Sequence, residues 1–291
     1  MRISEFRNAK AEARYRAAYD RALTLLWPGA RTTLTIPTSY GTTRVYRAGP
    51  ATGEPIVLLP GSGGNALMWH AHLAPLARRH PVIAVDPVGE PGASVQSAPI
   101  RTGQDAADWF EELLAALGLP TAHVVGCSYG GWVALHHQIR HPGRTSRLTL
   151  VDAAGLADLR KGFYRWIILG GLAALAPRAL RPALARGLRN TAILDTELMT
   201  LLRASTGFRR RLPLATTLTD EELRSLSAPT LALLGEHSAL HDAPTTAERL
   251  HRLAPAVTVR IVPDAGHSLT TDAPDAVLNA VLDPGLDPGL R

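Results

Sequence analysis

Short apolar runs alternate with longer amphipathic ones along most of the chain. Ile56–Leu59, Val82–Val85, His123–Val125, Leu148–Val151, Thr230–Leu234 and Val257–Val262 are rich in aliphatic and β-branched residues, and are short enough to be strands buried on both faces. Helical spacing fills the intervals at roughly 66–79, 102–117, 129–140 and 243–253, with a last helix near 274–282. Continuous apolar strands separated by helices predict an α/β fold around a parallel sheet covered on both faces. Upstream, residues 4–27 predict an amphipathic helix that buries Phe6, Ala13, Ala17, Leu23 and Leu26. Arg31–Pro37 and Thr42–Arg47 alternate as a hairpin that turns at Ser39-Tyr40-Gly41.

One interval breaks this rhythm. Nearly eighty residues separate Val151 from Thr230, and they are helical in pattern, including Phe163–Leu169 and the stretches near 178–188 and 195–204. An excursion of that length between consecutive strands predicts a helical cap. The expected division is an N-terminal helix at 1–30, a core at 31–154 and 229–291, and a cap (lid) at 155–228.

Composition narrows the function classes. Hydrophobic residues make up 46 % of the 291, enough for a substantial core. The single cysteine, Cys127, excludes an internal disulfide and suits a reducing compartment. The chain is charged from Arg2 onward and opens without a signal-peptide core. Its longest apolar stretch, Trp166–Pro177, is too short to span a bilayer. A cytoplasmic protein without stable membrane insertion is the expectation. The formal net charge of +6 arises between Gly155 and Ala228, where twelve basic residues face six acidic ones. No reader motif accompanies that charge, so no nucleic acid partner is expected. A solvated helical face is the preferred explanation, and an entrance for anionic substrates is another.

The chemistry concentrates at Gly126-Cys127-Ser128-Tyr129-Gly130-Gly131, between an apolar run and a helical pattern. Gly-x-Ser-x-Gly at a strand-to-helix turn is a nucleophile elbow, which holds its serine outward at the carboxyl edge of the sheet. Ser128 needs a base, and this architecture places its histidine last. His267 follows the final strand, and Gly266 before it permits a tight loop. The oxyanion hole is expected from two backbone N–H groups. Tyr129, after the nucleophile, supplies one, and Ser62 in Leu58-Leu59-Pro60-Gly61-Ser62-Gly63-Gly64 supplies the other. The elbow turns Cys127 toward the core, so its expected role is structural.

These segments, together with Asp86-Pro87-Val88-Gly89-Glu90-Pro91-Gly92-Ala93-Ser94, Leu150-Val151-Asp152, Gly235-Glu236-His237-Ser238 and Gly266-His267, resemble the α/β-hydrolase fold family over nearly the whole chain. The Val88–Gly92 variant is similar to a bacterial esterase-like subgroup of serine hydrolases. The resemblance implies an eight-stranded, mostly parallel sheet with the cap between the sixth and seventh strands. It also implies a Ser–His–acid triad, no metal and no organic cofactor. Cleavage of a carboxylic ester, thioester or lactone is the implied chemistry, and the cap suggests an apolar small molecule as substrate. A homodimer is compatible with the sequence.

Two positions depart from the family pattern. Ser238 stands where the acid usually follows the penultimate strand. Asp152 matches an alternative acid position, Asp242 is the second choice although it also suits an N-cap, and Glu236 is a third candidate. Pro60 stands where many relatives carry histidine, and it removes a donor from the loop. The altered acid position keeps two other functions open. One is a non-hydrolytic acyl transfer, cyclisation or elimination at the same site, and the other is ligand binding on a hydrolase scaffold without catalysis.

Overall fold

A computed structural model describes residues 2–173 and 175–282. Ala174 in the expected cap and 283–291 at the end of the expected core lie outside the described residues. The chain opens with a two-residue strand, β1 (Glu5–Phe6), then α1 (Ala9–Leu26) and the hairpin β2 (Thr32–Thr38) and β3 (Gly41–Ala48). Next come β4 (Ile56–Leu59), α2 (His70–Ala77), β5 (Val82–Asp86), β6 (Val95–Gln96), α3 (Gly103–Ala116), β7 (Ala122–Cys127), α4 (Tyr129–Arg140) and β8 (Thr145–Val151). The long interval carries α5 (Phe163–Ala173), α6 (Arg181–Leu188), α7 (Thr196–Ala204), β9 (Phe208–Arg209) and α8 (Asp220–Arg224). The described chain closes with β10 (Thr230–Gly235), α9 (Ala243–Leu253), β11 (Val257–Val262), α10 (Leu269–Asp272) and α11 (Pro274–Leu282).

The six apolar runs form the parallel part of one sheet, in the order β11-β10-β8-β7-β4-β5, and β3 and β2 extend it antiparallel. That path has the eight strands expected, and the short β6 adds a ninth by pairing with β3. Each strand feeds two cores because successive side chains point to opposite faces. Val57 and Leu59 join one apolar cluster, and Ile56 and Leu58 the other. Register then decides where loops emerge. Leu59 pairs with Gly126, Cys127 with Val151, Val151 with Leu233, and Gly235 with Val262. The loops bearing Ser62, Ser128, Asp152, Ser238 and His267 therefore leave the same edge of the sheet.

The first helix buries a different face from the one its aliphatic spacing predicts. Ala13 and Ala17 are exposed, whereas Ala11, Tyr15, Tyr19 and Ala22 are buried. Phe6 lies in β1, which pairs antiparallel with β9. The tyrosines are the reason for the shift, since each ring packs while its hydroxyl finds an acceptor. Tyr15 Oη donates to the Pro91 carbonyl at 2.7 Å, and Tyr19 Oη reaches the buried Asp86 carboxylate at 2.8 Å.

The segment between β8 and β10 packs over the loop-bearing edge. Trp166 Nε1 donates to the Leu188 carbonyl at 2.7 Å, tying α5 to the end of α6. The Thr191 N–H and hydroxyl both donate to Asp272 Oδ1, at 2.8 and 2.6 Å. Most of its arginines are exposed, as a solvated face requires, but Arg181 is buried and Arg203 and Arg210 are half-buried. Those three correct the expectation.

Candidate active site

Backbone geometry at the end of β7 sets the site. Ser128 sits at φ +48°, ψ −113°, in the left-handed half of conformational space that L-residues avoid. The turn is held from both sides: the Ser128 N–H donates to the Val151 carbonyl at 3.0 Å, and its carbonyl accepts from Ala154 at 3.0 Å. The close approaches need glycine. A Cβ on Gly126 would lie 2.6 Å from Gly131 Cα, and one on Gly130 2.4 Å from the Leu59 carbonyl oxygen. The result sets Ser128 at the N-terminus of α4, where the helix dipole favours negative charge.

His267 brings its imidazole to this serine from the loop after β11. Its Nε2 lies 3.1 Å from Ser128 Oγ, and its Nδ1 lies 2.6 Å from Asp152 Oδ2. With Nδ1–H donated to the carboxylate, Nε2 is left as an acceptor for the serine hydroxyl. The ring is fixed by edge contacts with Phe163 and Trp166 of α5, at centroid distances of 5.5 and 5.4 Å. Gly266 serves a purpose other than the tight turn expected of it. A Cβ there would come 2.1 Å from the Arg189 carbonyl oxygen, so glycine lets the corner after α6 pass against the histidine loop.

Asp152 is the carboxylate that meets His267. It is fully buried at φ +45°. Its Oδ1 accepts the Gly235 N–H at 2.9 Å, and its Oδ2 also accepts the Ser238 hydroxyl at 2.5 Å. Burial alone would raise this carboxyl. The charge of His241, the hydrogen bond and charge of His267 and the Ser238 hydroxyl outweigh burial and hold it below the usual range. His241, itself buried, places Nε2 3.7 Å from Asp152 Oδ1. Asp242, the second choice, caps α9, accepting from the Thr245 N–H at 3.1 Å and the Thr245 hydroxyl at 2.7 Å. Glu236 is exposed and accepts the Asp264 N–H at 2.8 Å.

The other two sequence-derived positions border the serine. The loop after β4 closes with a turn in which the Gly64 N–H donates to the Gly61 carbonyl at 3.0 Å. A Cβ on Gly61 would stand 3.2 Å from Ser128 Cβ, so this loop lies directly against the nucleophile position. Among the described residues, neither the Ser62 nor the Tyr129 backbone N–H has a protein acceptor. Cys127 is buried, and burial, with Asp152 nearby, pushes its thiol up to about 12, far from a reactive thiolate.

A cavity of about 390 Å³ opens beside Ser128 and His267. Met68, Trp166, Ile167, Ile193, Leu198 and Leu202 give it a largely apolar wall. Among the described residues, the one cluster of three metal-ligand side chains is Glu236, His237 and Asp264, all exposed and outside this cavity.

Contacts at the site that linear order does not show are those of Phe163 and Trp166 on the imidazole, and of Glu90 with the Gly63 N–H and Arg210 beside the loop after β4. Glu90 stands in a segment already singled out, and Arg210 in the Arg209-Arg210-Arg211 run. Nothing in linear order pairs them.

The sequence profile of the Alpha/beta hydrolase family matches residues 56–280. Carboxylesterase YbfK of Bacillus subtilis is 28 % identical over 295 aligned positions, covering 96 % of this chain and 95 % of that protein. The crystal structure of that carboxylesterase superposes with a TM-score of 0.80 at 25 % identity, over 94 % of this chain and 98 % of the other. The structure of naproxen esterase (carboxylesterase NP), also from B. subtilis, gives a TM-score of 0.82 at 26 % identity, over 94 % and 98 %.

Proposed function

Because the chain belongs to the alpha/beta hydrolase family, we propose that it is a serine carboxylesterase that acts on an apolar small molecule through an acyl-enzyme on Ser128. The observation that carries this reading is the unbroken relay Asp152 Oδ2 to His267 Nδ1, His267 Nε2 to Ser128 Oγ, at 2.6 and 3.1 Å. Its likeness in sequence and fold to B. subtilis carboxylesterases supports the ester as the bond cleaved.

The hydroxyl proton of Ser128 passes to His267 Nε2 as Oγ attacks the ester carbonyl carbon. Asp152, charged and buried, stabilises the imidazolium and keeps its ring in the attacking orientation. The new oxyanion is placed to accept the Ser62 and Tyr129 N–H groups, which lack protein acceptors, and the N-terminus of α4 adds a favourable dipole. The imidazolium then returns its proton to the leaving alkoxide. A water molecule, deprotonated by His267 Nε2, then attacks the acyl carbon, and the imidazolium gives that proton to Ser128 Oγ as the acid leaves. The apolar wall beside Ser128 favours a hydrocarbon-rich substrate, since each buried methylene contributes about 0.8 kcal/mol. The reason to consider a non-catalytic scaffold was the serine at the usual acid position, and Asp152 answers it by meeting His267 from the end of β8.

The test compares hydrolysis of p-nitrophenyl butyrate by the unaltered enzyme and by Ser128→Ala. A fall in kcat on the order of 10⁶-fold is expected. Equal turnover by the two proteins contradicts the covalent mechanism.

A further inference from the structure

Glu90 is an acid whose place the triad does not account for. It is 2 % exposed and lies among loops at the edge of the sheet where Ser128 stands. One carboxylate oxygen, Oε2, accepts the Gly63 N–H at 2.9 Å, and the other, Oε1, accepts Arg210 Nε at 2.8 Å. A buried carboxylate left unpaired is costly, so both bonds have a physical reason to persist.

The first of these bonds acts on the oxyanion loop. Gly61 to Gly64 form a four-residue turn, and Gly63 has φ +74°, the third-position value of a type II turn. Type I and type II turns differ by a flip of their central peptide, which here is the Ser62–Gly63 unit. By accepting the N–H of that peptide, Glu90 selects one of the two and braces the residue that follows Ser62, whose own N–H lies one peptide earlier in the same turn.

The second bond reaches the cap. Arg210 follows β9, in the segment that returns from α7 toward the sheet. Its guanidinium lies 4.6 Å from the ring centroid of Tyr129, the residue that offers the second oxyanion N–H, and it donates to the Leu212 carbonyl at 3.2 Å. Leu212 packs so closely on Gly89 that a Cβ there would stand 2.5 Å from Leu212 Cδ2. One arginine thus touches elements behind both halves of the hole.

We propose that Glu90 and Arg210 are positioning residues for the oxyanion hole, acting through Gly63 on the Ser62 N–H and through the Tyr129 ring on the start of α4. The inference rests on the proposed serine-esterase reading and adds to it residues that never meet the substrate. It concerns transition-state stabilisation alone, so substrate affinity is left largely intact when the pair is broken.

The experiment uses the full-length protein with p-nitrophenyl butyrate, the variants Glu90→Gln and Arg210→Met, and inhibition by an alkyl trifluoromethyl ketone, whose hemiketal oxygen occupies the oxyanion position. Active fractions are normalised by fluorophosphonate titration. The expected result is a kcat lowered about 10- to 100-fold, KM within about twofold, and ketone affinity lowered in proportion to kcat. Should either variant fail to fold, Arg210→Lys, which keeps a cation beside Glu90 but loses the planar group over the Tyr129 ring, carries the comparison. Unchanged kcat per active site in either folded variant overturns the proposal, as does a rise in KM with ketone affinity unaltered. Failure of the esterase reading shows separately, as absence of turnover in the unaltered protein.

Discussion

Ser238, at the position where an α/β-hydrolase usually carries its acid, donates its hydroxyl to Asp152 across 2.5 Å. The two ends of neighbouring strands have exchanged roles. The carboxylate issues from β8, and the loop after β10 keeps only a donor that orients it. Asp152 Oδ1 is held from the same side by the Gly235 N–H at 2.9 Å. The imidazole therefore meets a carboxylate in a similar place, delivered by another strand.

This exchange is testable by moving the acid. Asp152→Asn is expected to lower kcat about 10⁴-fold, through loss of the anion and of the correct tautomer. Adding Ser238→Asp to that variant restores at least about tenfold, because the restored carboxylate starts within hydrogen-bonding range of the same site. Steady-state kinetics on the two variants checks it. A double variant no better than Asp152→Asn would count against the exchange.

Ser238→Ala alone is a milder change. It leaves the acid charged but removes one donor from a buried carboxylate, a loss of about 1.5–3 kcal/mol for a hydrogen bond to a charged group. Part of that loss reaches the transition state, so kcat should drop about 3- to 30-fold with KM little changed. A variant with wild-type kcat would show that the remaining partners suffice.

The sequence made some of this visible. Ser128 and His267 were legible because glycines at fixed spacing and a late Gly-His mark places where the backbone must pass closely, and that requirement is local. The choice of Asp152 over Asp242 was only half legible. Asp242 precedes Pro244 in a pattern suited to capping, but which carboxylate reaches His267 depends on the parallel register of β7, β8 and β10. Glu90 and Arg210 were illegible as a pair, since 120 positions separate them and their contact exists only once β9 has paired with β1. The buried face of α1 departs from its aliphatic spacing because two tyrosines, not Ala13, Ala17, Leu23 and Leu26, anchor it. In the fold, Tyr15 and Tyr19 are the buried residues that brace the Asp86–Pro91 loop.

The corner after α6, which passes against the loop bearing His267, predicts a mutational effect at a residue that does no chemistry. Gly266→Ala places a methyl group 2.1 Å from the Arg189 carbonyl oxygen, backbone against backbone, so one of the two must move. The expected outcome is about 1–3 kcal/mol of destabilisation, faster proteolysis within 175–195 and a lowered kcat. Unaltered proteolysis and kinetics would mean that the corner is not seated against the histidine loop as described.

Buried histidines predict how stability follows pH. His72, His136 and His137 are each lowered to about 4, and His123 to about 3, chiefly because burial penalises the charged ring. Each is neutral in the folded chain and is protonated on unfolding once pH falls below the ordinary imidazole value of about 6.5. Their contribution is therefore complete above that pH and is lost as pH falls toward the folded values. Each fully titrating group costs about 1.4 kcal/mol per pH unit. Asp86, Glu90 and Asp272, raised by burial, work in the opposite sense and offset part of the loss. Urea unfolding should show a clearly lower midpoint at pH 5.0 than at pH 7.5, and coincident midpoints would contradict this assignment.

The cavity wall predicts a chain-length preference. For p-nitrophenyl esters, kcat/KM should rise about fourfold per methylene from acetate, at about 0.8 kcal/mol each, until the acyl group fills the cavity of about 390 Å³. Ile167→Asp should flatten that rise. A series in which acetate is the best substrate would place the acyl group elsewhere.

The most direct measurement is of the intermediate itself. The enzyme is mixed with p-nitrophenyl butyrate, quenched in acid within milliseconds to seconds, and analysed by intact-protein and peptide mass spectrometry. The account predicts a butyryl adduct on the peptide containing Ser128, formed in a burst together with p-nitrophenolate and absent from Ser128→Ala. Turnover that proceeds with no adduct and survives in Ser128→Ala would contradict it.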